Sequence, residues 1–169
     1  MTGWWAAAFV VQWLLVVVLA IVVVALARQV GTLHLRLGPR GALEIDTEGP
    51  PLGEAPPPSP ATAADGSRVM LGGPGPRRAV LFSSPSCGVC KEVAPALPPA
   101  AAAARFASQV LHDPAAERDW NVPGTPFVVV LDEVGAVRAK GTVNNLEQIE
   151  GLLDTATRRI AEETHEWAS

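Results

Sequence analysis

The sequence predicts an α/β domain preceded by a single N-terminal transmembrane helix. Residues 4–26 are continuously apolar apart from Gln12. At 1.5 Å per residue that run spans the roughly 30 Å hydrocarbon core of a bilayer. Beyond residue 61, short apolar runs suited to buried strands alternate with helix-compatible stretches. Between one such run and the helix after it sit the only two cysteines, Cys87 and Cys90. The 169 residues are 49% hydrophobic, enough for one domain with appendages. A net charge of −4 and the absence of a basic run give no electrostatic footprint for nucleic acid.

In the first segment, residues 1–28, Trp4 and Trp5 suit an interfacial belt and Arg28 closes the far end. A cleavable signal peptide would want a basic start and a shorter apolar core. Met1-Thr2-Gly3 carries no Lys or Arg, so a retained anchor is expected. Arg28, Arg36 and Arg40 all lie C-terminal to the span, and positive-inside counting alone would keep the C-terminal part in the cytoplasm. Residues 29–48 form a juxtamembrane piece. There Leu33, Leu35 and Leu37 alternate with His34 and Arg36, which suits a short strand or an interfacial segment. Residues 49–60 (GPPLGEAPPPSP) are dense in proline and read as an extended, semi-rigid spacer, with the domain proper at 61–169.

Within the domain, Asp65-Gly66 signals a turn before a strand at 68–71, and 79–83 reads as a buried strand. A helix follows from about Gly88. Pro95, Pro98 and Pro99 predict a kink or break, with helix resuming over 100–107. A short strand at 109–112 and a short helix at 114–120, with Pro at its start, come next. Residues 127–131 (FVVVL) are the clearest strand, turning through 132–135 into an exposed-edge hairpin strand at 136–140. Asn144 and Asn145 ahead of Gln148 form a capping-box variant. Leu146, Ile149, Leu153, Ala156 and Ile160 then recur at helical spacing. Glu162, Glu163, His165 and Glu166 read as the solvated end of that helix.

Cys-x-x-Cys where a strand meets a helix suits thiol redox chemistry. Free amides and the positive end of the helix dipole favour a thiolate, lowering a cysteine pKa from about 8.5 towards roughly 7. Cys87 is then the attacking thiol and Cys90, one turn on, the resolving thiol. A zinc half-site would need two more N/S ligands, and the three histidines are distant in sequence. A two-thiolate copper(I) site and a permanently closed structural bridge remain as alternatives.

The order of elements, with Cys90-Lys91-Glu92-Val93-Ala94-Pro95 and a Thr-Pro pair about 35 residues later, resembles the thioredoxin fold. That resemblance implies a cis Thr125-Pro126 bond beside the sulfurs, with Thr125 and Pro126 positioning a client's extended backbone. A closer likeness covers most of the chain. The span, residues 28–36 (RQVGTLHLR), 38–43 (GPRGAL), 84–91 (SPSCGVCK) and 141–145 (GTVNN) resemble the MauD-type methylamine utilisation accessory proteins. Those are membrane-anchored thioredoxin-like proteins of the TlpA/ResA-like type. The likeness implies a membrane-tethered thiol-disulfide oxidoreductase, with the methylamine dehydrogenase light subunit as client. The exchange chemistry needs no cofactor and calls for electron exchange with a membrane thiol-electron transporter, and disulfide chemistry tethered to a membrane favours an extracytoplasmic domain against the charge count. A cytochrome c maturation thiol reductase and a thioredoxin-fold copper metallochaperone are the alternative readings. Leu81 stands where thioredoxins carry a buried Asp, and Glu92 is a candidate base by proximity alone.

Overall fold

The computed structural model describes residues 3–36 and 47–166. The chain divides into two units, Met1–Gly38 and Pro39–Ser169.

The first unit holds helix α1 (Gly3–Arg36), whose stretch Gly3–Val24 is long and apolar enough to cross a membrane. Large apolar side chains from Trp4 to Val24 are exposed, as a lipid-facing helix requires. The helix continues through Arg36, so the leucine alternation, which suited a short strand or an interfacial segment, is helical over 33–36 and not a strand. No proline interrupts the chain before Pro39, and extending a formed helix is far easier than nucleating a new element. Residues 37–46, with Leu37 and Arg40, lie outside the described residues.

In the second unit the elements are β1 (Ser59–Thr62), β2 (Arg68–Leu71), β3 (Arg78–Phe82), α2 (Cys90–Ala103), β4 (Ala107–Leu111), α3 (Pro114–Asp119), β5 (Phe127–Leu131), β6 (Val137–Thr142) and α4 (Leu146–Glu166). Four strands form one sheet in the order β4-β3-β5-β6. β3 and β4 are parallel, which obliges α2 to cross over between them. β5 runs antiparallel to both β3 and β6. Each face of the sheet is covered. Ala79, Leu81, Val128 and Val130 pack with α2 and α4, whereas Val80, Phe82, Phe127 and Val129 pack with α3 residue Ala116 and with Trp120 at its end. Every residue of β5 is therefore buried, which accounts for its unbroken apolar sequence.

Three departures from the sequence reading shape the site's surroundings. The first concerns the proline-rich segment, which is a strap on the domain and not a free spacer. Gly49 N donates to Asn121 O (2.8 Å) and Asn121 Nδ2 to Thr47 O (3.0 Å). Gly53 N donates to Val137 O (2.8 Å) and Val137 N to Glu54 O (2.9 Å), so the strap covers one end of the β6 edge. Leu52 packs on the Phe127 face of the sheet. Proline density sets an extended backbone; the apolar surface it meets determines whether that backbone docks.

Second, α2 is one unbroken helix despite three prolines, and it ends at Ala103, not 107. Pro95, Pro98 and Pro99 are all exposed, while Val93, Leu97, Ala100 and Ala101 form the buried stripe against the sheet. Burial of that stripe outweighs the missing backbone bonds on the solvent side. Arg105 (φ 64°) then reverses the chain, with Arg105 N donating to Ala102 O and Phe106 N to Ala101 O, and β4 begins two residues earlier than expected.

Third, β1 pairs antiparallel with β2 although Pro60 lies inside it, a position tolerated on an outer strand. Elsewhere the local signals hold. Asn145 Oδ1 accepts from Gln148 N (2.9 Å) and Gln148 Oε1 from Asn144 N (2.6 Å), closing the box at the start of α4. Glu163 is not simply solvated, because it pairs with Arg138, which also binds Asp132.

Candidate active site

β3 delivers the chain to the site. After Phe82 the backbone leaves the sheet at Ser83, whose N–H still donates to Leu111 O (3.0 Å). Ser84-Pro85-Ser86 then makes a tight loop. Ser84 O accepts from Cys87 N (3.1 Å), and the Ser84 and Ser86 hydroxyls lie 2.9 Å apart. α2 starts at Cys90, two residues later than expected, so Cys87 sits just ahead of the helix.

Cys87 and Cys90 form a disulfide, with S–S 2.21 Å and Cα–Cα 5.3 Å. The two sulfurs occupy different environments. Cys87 is half-buried and reachable from solvent; Cys90 is 2% exposed beneath it. The N–H of Cys90, the first residue of α2, points at Cys87 Sγ from 3.1 Å. That is one of the helix-terminal amides without an intrahelical partner. An amide so placed is a donor for negative charge on that sulfur, and a helix N-terminus favours such charge.

The second wall comes from the loop before β5. Thr125–Pro126 is a cis peptide, and Thr125 O lies 3.6 Å from Cys87 Sγ. Residues 38 apart in sequence therefore meet. Thr125 is half-buried and faces the sulfur, whereas Pro126 is buried behind it. Leu81 is buried in the cluster with Val93 and Leu97, and Glu92 is exposed on the first turn of α2. Ser84 was not singled out by sequence reasoning, although a serine two residues ahead of another in a proline loop is a recurrent turn signal. Among the described residues no group of three or more His, Cys, Asp or Glu side chains converges to hold a metal.

A disulfide at a helix N-terminus, one cysteine half-buried and the other buried, on this sheet and crossover helix, defines a thioredoxin-like thiol-disulfide oxidoreductase. Solved structures agree on the fold. A protein assigned as thiol:disulfide interchange protein DsbE from Chlorobium tepidum superposes with a TM-score of 0.52 at 17% identity, covering 66% of this chain and 99% of that one. A protein assigned as a disulfide isomerase from Bacteroides thetaiotaomicron gives 0.54 at 18% identity, covering 73% and 99%. No protein-family model matches the chain. Curated relatives do. The methylamine utilization protein MauD of Methylorubrum extorquens is 30% identical, over 86% of this chain and 83% of that protein. MauD of Paracoccus denitrificans is 30% identical over 91% and 90%. The chain belongs to the MauD family.

Proposed function

We propose that this protein is a membrane-tethered thiol-disulfide oxidoreductase whose clients are exported proteins, with the methylamine dehydrogenase light subunit as the specific client. One observation carries the chemistry: half-buried Cys87 has its Sγ 3.6 Å from the Thr125 carbonyl, and its disulfide partner Cys90 is buried. In the reducing direction the Cys87 thiolate attacks a client disulfide, forming a mixed disulfide and releasing one client thiolate. Cys90 then loses its proton and attacks Cys87 Sγ, which frees the second client thiolate and closes the pair. Two electrons pass to the client. In the oxidising direction a client thiolate attacks Cys87 Sγ, Cys90 leaves, and a second client thiolate completes the client's disulfide. Thr125 and Pro126 hold the client segment across Cys87. A membrane thiol-electron transporter resets the pair.

α1 serves as the anchor, and the domain works on the extracytoplasmic side, where disulfides persist. A phosphatase fused after Ser169 is then active, whereas activity confined to a cytoplasmic reporter reverses the orientation.

Trapping tests the assignment of roles. Cys90→Ser strands a mixed disulfide, because nothing remains to displace the client. Cys87→Ser traps little, since Cys90 is buried and lacks the amide that faces Cys87. Non-reducing pull-down of Cys90→Ser recovers a client that dithiothreitol releases. Equal trapping by both variants breaks the roles, and a cytochrome c precursor in the adduct replaces the proposed client.

A further inference from the structure

The apolar run that forms α1 carries one polar residue between Trp4 and Val24, Gln12, and its side chain is exposed on the helix surface. Its depth is the costliest available. The stretch Gly3–Val24 is 22 residues long, so its middle falls between Trp13 and Leu14. At 1.5 Å of rise per residue, Gln12 then lies about 2 Å from the bilayer midplane. The headgroups are roughly 15 Å away on either side, beyond the reach of a two-methylene stem, so the amide cannot snorkel to water. Its own helix satisfies it only in part. A backbone carbonyl has a spare lone pair for Nε2–H, but every interior N–H is spent on the carbonyl four residues back. Trp13 carries an indole N–H, yet successive positions on a helix do not face each other. Oε1 therefore lacks a donor within α1, and an unmet acceptor in hydrocarbon is costly.

We infer that α1 pairs in the membrane with the α1 of a second copy of this chain, through reciprocal Gln12–Gln12 hydrogen bonds. A primary amide is self-complementary: Oε1 of one copy accepts from Nε2–H of the other, and the reverse. Copies of one chain insert in one orientation, so a parallel pair brings both Gln12 residues to equal depth beside a two-fold axis. A different membrane protein needs a polar group of its own at that level, whereas a second copy supplies one automatically. The helix offers a seam to match. Trp5, Ala8, Gln12, Leu15, Leu19 and Val22 follow the alternating three- and four-residue spacing of left-handed helix pairs, and all six are exposed. Ala8, one turn before Gln12, lets the two backbones approach there. A single polar residue in such a seam fixes its register. The inference rests on α1 being a retained anchor, and it adds that this anchor holds two copies of the thiol-disulfide domain together.

Full-length chains carrying a donor or an acceptor fluorescent protein after Ser169 are reconstituted in vesicles of phosphatidylethanolamine and phosphatidylglycerol. Energy transfer is followed as added lipid dilutes the protein, which yields a dissociation constant, and unlabelled wild type competes the transfer away. Gln12→Leu, which keeps the span apolar, raises that constant on the order of tenfold. Gln12→Asn keeps an amide at the same depth and retains most of the association. Val17→Ala, on the side of the helix away from the seam, leaves the constant unchanged. Wild type that stays monomeric at every dilution overturns the inference, as does a Gln12→Leu constant equal to that of wild type. An equal rise in Val17→Ala overturns it too, because general packing and not the amide then sets the association. Anchoring is read separately and first: after an alkaline carbonate wash of cell membranes, the intact chain stays in the pellet. Its release, or loss of the residues before the domain, defeats the anchor reading itself and takes the inference with it.

Discussion

Replacing Gly49 by alanine separates a packed strap from a loose spacer. Gly49 has φ +70°, and a methyl there would lie 2.8 and 2.9 Å from two carbons of the Phe127 ring and 3.5 Å from Lys140 Cδ. The left-handed backbone costs an L-residue about 1–2 kcal/mol. Phe127 is 1% exposed, so its ring cannot simply move aside, and overpacking adds about 1–3 kcal/mol. Gly53 is the internal control. Its φ is +77°, yet nothing lies within 4 Å of its Cβ position, so Gly53→Ala bears only the backbone cost of about 1–2 kcal/mol. Urea unfolding of the full chain in micelles, followed by far-ultraviolet dichroism, resolves the difference. With a slope of about 1–3 kcal/mol per molar, Gly49→Ala unfolds at a midpoint lower than Gly53→Ala by about 1 M. Equal midpoints for the two variants would refute the docking of the strap on Phe127 and restore the free spacer.

Four further substitutions report on the same unit. Asp132 is 6% exposed at its side chain and accepts from Val134 N, Ala136 N and Arg138 Nε, so Asp132→Ala loses about 3–5 kcal/mol. Arg77→Ala, which breaks an exposed pair with Glu133, stays within about 1 kcal/mol, and denaturant midpoints compare the two. Asp113 caps α3, and its bond from Ala116 N, with those from Thr62 N and Ala115 N, holds its pKa below the usual carboxylate value. A depressed folded pKa stabilises above the unfolded value and is lost as pH falls through the folded one. Wild type accordingly weakens below about pH 4, a loss that Asp113→Asn lacks in a pH series of melts. Burial, with Asp113 nearby, raises the pKa of Glu117, so its ionisation opposes folding as pH rises past the unfolded value. Glu117→Gln therefore melts higher than wild type at neutral pH, and the gain disappears in acid.

Local pattern was sufficient wherever one stretch of chain settles its own conformation. The apolar run behind Trp4 and Trp5 gave α1, and Phe127-Val128-Val129-Val130-Leu131 read as the clearest strand, which it is. Asn145 and Gln148 marked the start of α4 because a capping box closes within four residues. The cysteine pair was equally legible, since spacing and residue type alone put two sulfurs within one helical turn of each other.

Long-range burial settled the rest. Proline content argued for a free spacer at 49–60 and for a break in α2, yet both segments found apolar partners: Leu52 against the Phe127 face, and Val93, Leu97 and Ala101 against the sheet. Exposed prolines at 95, 98 and 99 cost backbone bonds only where water can replace them. The unequal burial of the two cysteines also came from packing. Both sulfurs have the same intrinsic chemistry, but Cys90 is buried at the start of α2 while half-buried Cys87 lies beside a carbonyl 38 residues away. Helix caps and turns are short-range equilibria written into adjacent residues. A half-buried cysteine bonded to a fully buried one depends on which distant surface excludes the water, and no window of neighbouring residues contains that surface.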